Sequence, residues 1–443
     1  MTQASNIFIK DTIIKLLTAI GSEKEIKKYI NKFSSTEQQF AVIKVGGAVV
    51  EEDLDNLISS LVFLNQVGLR PIIIHGGGPG LSKELDAKNI DFSFIDGQRV
   101  TSEAVRDVAI NVFGDINSLL VRRLNEQGAL AIGFKEEIFK SEKKSEDLGY
   151  VGEIKKVNIK PINEAIKDGF IPVISPLGIT ETNEVVNINA DVATINLVEK
   201  IKPYKVVFLS QVGGIYDNNE SLIQSINLDL EYEEMMNADW LHSGMQLKLK
   251  QIKELLDLLP RSSSVSITKP IDLPKELFTD SGSGTLIKRG HGIDIFDSKD
   301  QDIQKKFFNI IESSFDGILN KSFFNDGDYK IFMTTCERAA IAVSMEYKVP
   351  YMDKFGVIAE AKGEGIGSAI FHEMKKEFPE IFWRSKSNNP INKFYLSMAD
   401  GYQKTGEWDI FWMGINDYSK LNECINFAVS KQQTISYQHV KEN

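Results

Sequence analysis

Cysteine is nearly absent from this 443-residue chain: only Cys336 and Cys424 occur, too few and too far apart for a disulfide framework or a cysteine-ligated zinc site. That scarcity fits a reducing cytoplasm. Histidine is almost as rare, and the five residues His75, His242, His291, His372 and His439 are too scattered to suggest zinc coordination. No run of about 20 uninterrupted apolar residues exists to span a bilayer. Near the start, Ile9, Ile13, Leu16, Leu17 and Ile20 recur at helical spacing, but Lys10, Asp11 and Lys15 interrupt any signal-peptide core. Positive charge is in deficit as well: 51 Lys+Arg face 62 Asp+Glu, a net charge of -11 that disfavours nonspecific binding to nucleic acid or an anionic membrane. No GxxxxGK[ST] loop, internal repeat or low-complexity tract appears.

What is present is a globular composition, 42% hydrophobic and 26% charged, on a chain too long for one core, so two or three domains are expected. Residues 1–39 read as a helical appendage serving oligomerisation or regulation. From Phe40 the pattern changes to short β-branched runs, 40–45, 71–75, 170–175 and 205–210, alternating with helical stretches such as 54–64 and 191–200. That alternation predicts an α/β domain over 40–295, a mainly parallel sheet sandwiched by helices. A polar stretch, 297–302, then precedes strand candidates at 329–335, 338–346, 350–358, 380–384 and 407–413, with a helix opening at Gly365. This predicts a separate α+β domain over 296–443.

Two glycine clusters, Gly46-Gly47 and Gly76-Gly77-Gly78, each follow a strand directly, where the carboxyl-end loops of a parallel sheet gather ligands. Glycine backbone can approach a phosphate closely, and Lys44 at the strand end adds a positive charge. The wider set, Val42 to Gly47, His75 to Pro79, Gly97 to Thr101, Val186 to Asp191 and Ser243 to Lys248, resembles N-acetylglutamate kinase, of the amino acid kinase family, over roughly residues 40–293. The resemblance implies phosphorylation of the side-chain carboxylate of N-acetylglutamate by ATP with Mg2+. It places Lys44 and Lys248 beside the transferring phosphoryl group, with Asp191 orienting both lysines. Gly46, Gly47, Gly77 and Gly78 would offer backbone N–H groups, Arg99 would clamp a carboxylate, and Asn187 would bond the acetylated amino acid. Taken alone, Lys248 reads as a solvated charge on a helix marked by Met245, Leu249, Ile252 and Leu256. One departure stands out: the family pattern carries Asp after the Leu209-Ser210 strand end, and here the residue is Gln211.

In the C-terminal half, Lys362-Gly363-Glu364-Gly365-Ile366-Gly367-Ser368 opens a helix whose unpaired N–H groups and dipole suit a pyrophosphate. It resembles the acetyl-CoA loop of GNAT acetyltransferases, with Lys362 in place of Gln or Arg. Pro350 to Phe355 and Phe382 to Tyr395 look like the acetyltransferase domain of the vertebrate-type N-acetylglutamate synthase family, over about 297–430. By that resemblance Lys321, Lys354, Arg384 and Asn389 bind L-glutamate, and Tyr395 protonates the CoA sulfur. A family arginine is here Lys386, which keeps charge and loses the bidentate fork. The two resemblances explain each other, since a synthase makes what the kinase consumes.

Ser281, Gly282, Ser283 and Gly284 resemble the segment forming the arginine site of arginine-sensitive kinases in the family, which implies L-arginine as an effector. The family also implies a homotetramer. Two rivals stay open at this stage: a synthase whose kinase domain has become an arginine sensor, and a nonenzymatic metabolite-binding regulator.

Overall fold

The computed structural model describes residues 26, 30–31, 39–95, 97–279, 282–325, 327–362 and 365–437. Most of the expected N-terminal appendage, with Ser281 and Gly363, lies outside the described residues, although Ile26 and Ile30 are buried in the first core. The chain divides into two compact units, Met1–Arg289 and Gly290–Asn443.

In the N-terminal unit the apolar runs form β1 (Ala41–Val45), β2 (Ile72–His75), β3 (Ala131–Phe134), β4 (Ile171–Ile174), β5 (Lys205–Leu209), β6 (Ser225–Asn227), β7 (Ser264–Thr268) and β8 (Thr285–Lys288). They make one sheet in the order β6-β8-β7-β5-β1-β2-β4-β3. Pairing is parallel from β7 through β3, and β8 runs antiparallel to β7. The helices that matter for the site are α1 (Gly47–Glu52), α2 (Gly78–Ala87), α3 (Glu103–Glu126), α4 (Ala190–Ile201) and α5 (Ser243–Asp257).

Strand periodicity sorts the side chains between two cores. Ala41, Ile43 and Val45 of β1 face one core with Leu57, Leu61 and Leu124. Val42 faces the other, with Leu197 of α4 and Leu249, Ile252 and Leu256 of α5. Lys44 shares the parity of Val42, so the sheet delivers its side chain to the face covered by α4 and α5. A smaller sheet of Val185–Asn187, Leu177–Ile179, Phe139–Lys143 and Gly152–Val157 completes this unit.

The C-terminal unit contains β9 (Ile293–Asp297), α6 (Gln301–Phe315), β10 (Tyr329–Thr334), β11 (Ala339–Ser344), β12 (Tyr351–Val357), α7 (Ile366–Glu377), β13 (Ile381–Lys386), α8 (Asn392–Met398), β14 (Gly401–Thr405), β15 (Trp408–Met413) and α9 (Tyr418–Ser430). Its sheet order is β9-β10-β11-β12-β13-β15-β14. β9 pairs with β10 over its whole length, and the two compact units divide at Arg289/Gly290, a few residues before the expected 295/296 boundary.

One irregularity shapes this sheet. Across β11 and β12, Ala342 pairs with Lys354 and Val343 with Met352, so Asp353 is an extra, bulged residue. On its other side β12 pairs with β13 only at Tyr351–Phe382 and Met352–Trp383. The two parallel strands therefore part where the bulge falls.

Candidate functional site

Three charged residues meet on the α4/α5 face of the first sheet. Lys44 Nζ lies 2.9 Å from Asp191 Oδ1, and their side chains are 17% and 39% exposed. Asp191 stands in the first turn of α4, whose N-cap Asn189 accepts from the Asp191 and Val192 amides, so the cap orients the turn that carries the carboxylate. Lys248 sits on α5 with its ammonium 5.5 Å from the centre of the Phe208 ring. Burial holds its pKa below the ordinary lysine value, the Lys44 charge pushes the same way, and Asp191 opposes both. The helical periodicity that made Lys248 look solvated is real, yet the residue occupies the helix flank turned to its fellow lysine.

The glycine clusters lie at the ends of β1 and β2. A Cβ on Gly47 would stand 2.8 Å from Pro79 Cδ and 3.1 Å from the Gly78 nitrogen, so a side chain there would fill the space between the two loops. Glycine keeps that cradle open, and backbone there can approach a ligand closely. His75 is fully buried beneath it, contacting the Gly76 carbonyl and the Ser175 hydroxyl at 3.1 Å each, and desolvation pushes its pKa down to about 4. Its part is structural. Gln211 donates its amide to the Glu52 carboxylate and, at 3.4 Å, to the Ala48 carbonyl, tying the end of β5 to α1.

Arg99 reaches the helix that follows the second glycine loop. Its Nη2 donates to Ser82 Oγ at 2.6 Å and Gly78 O at 3.4 Å, while the guanidinium lies over the rings of Phe92 and Phe94, 4.2 and 4.7 Å from their centres. Burial lowers its pKa, and its Nη1 is buried without a hydrogen-bond partner among the described residues. A donor in that state suits a carboxylate ligand. Asn187 donates through Nδ2 to Thr101 Oγ1 at 3.2 Å.

In the second unit, Gly365 caps α7, and Ile366, Gly367 and Ser368 form its first turn next to β12. Lys362 precedes this turn and is exposed. Tyr395 is 95% buried on α8 amid Phe355, Phe371, Trp383 and Phe411, and desolvation raises its phenol pKa. Lys354 pairs with the bulged Asp353, which also accepts from Tyr329 Oη at 3.3 Å. Asp353, Arg384 and Tyr395 all act electrostatically on the buried Tyr351 hydroxyl, which places them around one region.

Two of the expected glutamate ligands have structural employment. Arg384 donates to the carbonyls of Ala428 and Gln432, at 2.7 and 3.1 Å, and stacks on Trp408. It therefore anchors the carboxyl end of α9, and what it offers a ligand is a charge already partly spent. Asn389 Oδ1 accepts from the Ile391 amide at 3.3 Å. Lys321 is exposed on the turn before β10, two residues from Phe323, over whose ring Lys354 sits at 5.1 Å.

Comparison with known proteins agrees with this division. Residues 39–258 match the amino acid kinase family, and residues 296–431 match the N-acetyltransferase domain of N-acetylglutamate synthase. An acetylglutamate kinase of Xanthomonas campestris pv. campestris is 41% identical over 94% of this chain and 100% of its own length. The chain belongs to the acetylglutamate kinase and N-acetylglutamate synthase family of enzymes. Mitochondrial N-acetylglutamate synthase of Homo sapiens is 25% identical over 92% of this chain and 76% of its own. Among solved structures, N-acetylglutamate synthase from Neisseria gonorrhoeae, complexed with coenzyme A and N-acetyl-glutamate, aligns with a TM-score of 0.58 at 18% identity, covering 88% of this chain and 97% of that one. At that identity the likeness concerns the fold, a kinase-type unit followed by an acetyltransferase unit.

Within this kinase–acetyltransferase, the loop read as regulatory closes on a residue that sequence reasoning missed. Glu276 is buried, and its Oε2 accepts from the Ser283 and Gly284 amides at 2.9 and 3.0 Å. Thr101, Ser82, Glu52 and Asp353 were also missed. Thr101 and Asp353 lay inside quoted motifs, and Glu276 stands a few residues before the Ser281–Gly284 segment.

Proposed function

We propose that this chain is a bifunctional enzyme of arginine biosynthesis, which acetylates L-glutamate with acetyl-CoA and phosphorylates N-acetylglutamate with ATP and Mg2+. The observation that carries the kinase half is the Lys44–Asp191 pair on the same sheet face as Lys248, beside a cradle that only glycine leaves open. A side-chain carboxylate oxygen attacks the γ-phosphorus, the new O–P bond forms, and the bond to the β–γ bridging oxygen breaks with release of ADP. Two anions meet in that step, and Lys44 and Lys248 offset the charge, with Asp191 holding Lys44 in place. Magnesium bound to the nucleotide would supply further neutralisation. Arg99 Nη1 and Asn187 meet the acetylated amino acid.

For acetyl transfer, the neutral α-amine attacks the thioester carbonyl, the C–N bond forms, the C–S bond breaks, the thiolate takes a proton from Tyr395, and the proton that the amine nitrogen sheds on becoming an amide passes to solvent, which reprotonates the phenolate. Burial raises the phenol's pKa and so keeps it protonated, and the developing thiolate is the base it meets. L-arginine feedback on the kinase unit is supported by the buried Glu276 carboxylate beside Gly282–Gly284, a partner of the right charge for a guanidinium. Calorimetric titration that shows no heat with L-arginine would reject it. A homotetramer in the cytoplasm completes the reading. A monomeric mass in light scattering would contradict the assembly.

The deciding experiment is ATP-dependent acyl-phosphate formation from N-acetylglutamate, trapped with hydroxylamine, with Lys248→Ala as control. Turnover lost in that variant supports the kinase. A folded parent without turnover would favour the second reading, a synthase with a kinase-like sensor, for which Gln211 at the family's aspartate position is the specific observation.

A further inference from the structure

Thr101 is completely buried and joins the two residues that the proposed kinase reading assigns to N-acetylglutamate. Its hydroxyl donates to the Arg99 carbonyl at 2.9 Å and accepts from Asn187 Nδ2 at 3.2 Å. Its backbone is tied as firmly: the Thr101 amide donates to Leu148 O at 3.0 Å, and its carbonyl accepts from the Tyr150 amide at 2.7 Å. Tyr150 O in turn accepts from the Asn187 amide at 2.8 Å, so one short loop bridges both ligand-binding segments. The approach requires glycine at 149, whose φ is +65° and where a Cβ would stand 2.4 Å from the Thr101 carbonyl oxygen. From outside, Arg106 and Lys143 hold the Tyr150 ring at 4.2 and 3.9 Å from its centre.

The hydroxyl decides which way the Asn187 amide faces. A threonine has one proton to give, and here it goes to the Arg99 carbonyl, so only lone pairs remain for Asn187. The NH2 group must therefore turn to Thr101, and Oδ1 is left for the ligand as an acceptor. We infer that Thr101 is a positioning residue for the acetylated amino acid, aiming the Asn187 carbonyl oxygen at the ligand's amide N–H while fixing Asn187 relative to the Arg99 clamp. This rests on the kinase reading above. Without the hydroxyl, the amide can rotate by half a turn and present the wrong edge.

The test uses the full chain, the hydroxylamine assay and the isosteric Thr101→Val. The KM for N-acetylglutamate should rise about tenfold, the worth of one well-placed hydrogen bond, while kcat and the KM for ATP stay within about twofold. Thr101→Ser should restore the parent value. A second measurement replaces N-acetylglutamate with 2-acetoxyglutarate, which has an ester oxygen where the amide N–H was. The parent should disfavour that analogue strongly, and Thr101→Val should lose most of the discrimination, which a merely loosened fold would not produce. Acetyltransferase activity of the same preparations monitors integrity, and Thr101→Ala serves as a second variant lacking the hydroxyl if valine is not accommodated. An unchanged KM, an equal rise in Thr101→Ser, or undiminished discrimination overturns the inference alone. A parent with no kinase turnover overturns the kinase reading and the inference with it.

Discussion

Asparagine in place of Asp191 keeps the side chain's shape and removes the one negative charge between two lysines. At the observed 2.9 Å, a pair of unit charges is worth about 1.4 kcal/mol in bulk water and about 6 kcal/mol at an effective dielectric of 20. The partial exposure of both side chains places the Lys44–Asp191 pair nearer the lower figure. For Lys248, burial and Lys44 both lower the pKa and Asp191 raises it. Removing Asp191 leaves the two lowering influences unopposed. Losing that opposing charge lowers the Lys248 pKa further. Because phosphoryl transfer needs the ammonium form, the alkaline limb of the kinase kcat/KM profile moves to lower pH. The shift belongs in kcat/KM, which reports the free enzyme, since bound ATP brings its own negative charge. Hydroxamate formation followed from pH 7 to 10 in parent and Asp191→Asn measures it, with acetyltransferase activity as the control for folding. An alkaline limb that stays in place or moves upward refutes the electrostatic account of these three residues.

Gly47→Ala drives a methyl into Pro79 and the Gly78 backbone, at 2.8 and 3.1 Å, so kinase turnover should fall at least a hundredfold while acetyl transfer is retained; kinetics at saturating ATP check it, and near-parent turnover refutes it. Tyr395→Phe removes the acid but keeps the ring among its neighbours, so acetyl transfer should lose about a hundredfold in kcat with kinase activity unchanged, read by thiol release. His75 predicts a pH dependence of stability. Its folded pKa of about 4 lies below the unfolded value of 6.5, so the unfolded chain binds the extra proton between them. The contribution is complete above pH 6.5, falls as pH drops towards 4, and amounts to about 2 kcal/mol lost by pH 5. Thermal unfolding at pH 7.5 and pH 5 should show a larger drop for the parent than for His75→Gln, and equal drops would sink the assignment.

The kinase framework was legible because it is written in local patterns. The runs that became β1, β2, β4 and β5 are apolar and β-branched, and each ends at or near its observed limit because buried parallel strands have no polar face to blur the signal. Lys44 and Lys248 were found through motifs, but why they meet was not visible until strand parity and the α5 flank were known. The strand Ile293–Asp297 reads as a continuation of the α/β pattern, since its partner lies more than thirty residues ahead. Gly401–Thr405 escaped notice for a different reason: it is an edge strand with a largely exposed, polar sequence and no apolar alternation. Arg384 carries the limitation of all long side chains. Its sequence neighbours suggested a ligand, whereas the carbonyls it holds come from Ala428 and Gln432, 44 and 48 residues away.

The fork between β12 and β13 also bears on how this enzyme can change over time. From Asp353 to Val357, β12 has β11 along one side and no strand bonded along the other among the described residues. Whatever enters that opening meets main chain first, and main chain is the same whatever side chains drift past it. An exchange such as lysine at 362, in place of the family's usual residue, leaves those peptide groups where they are. A point mutation along this edge can change the side chains around the opening far more easily than the opening itself.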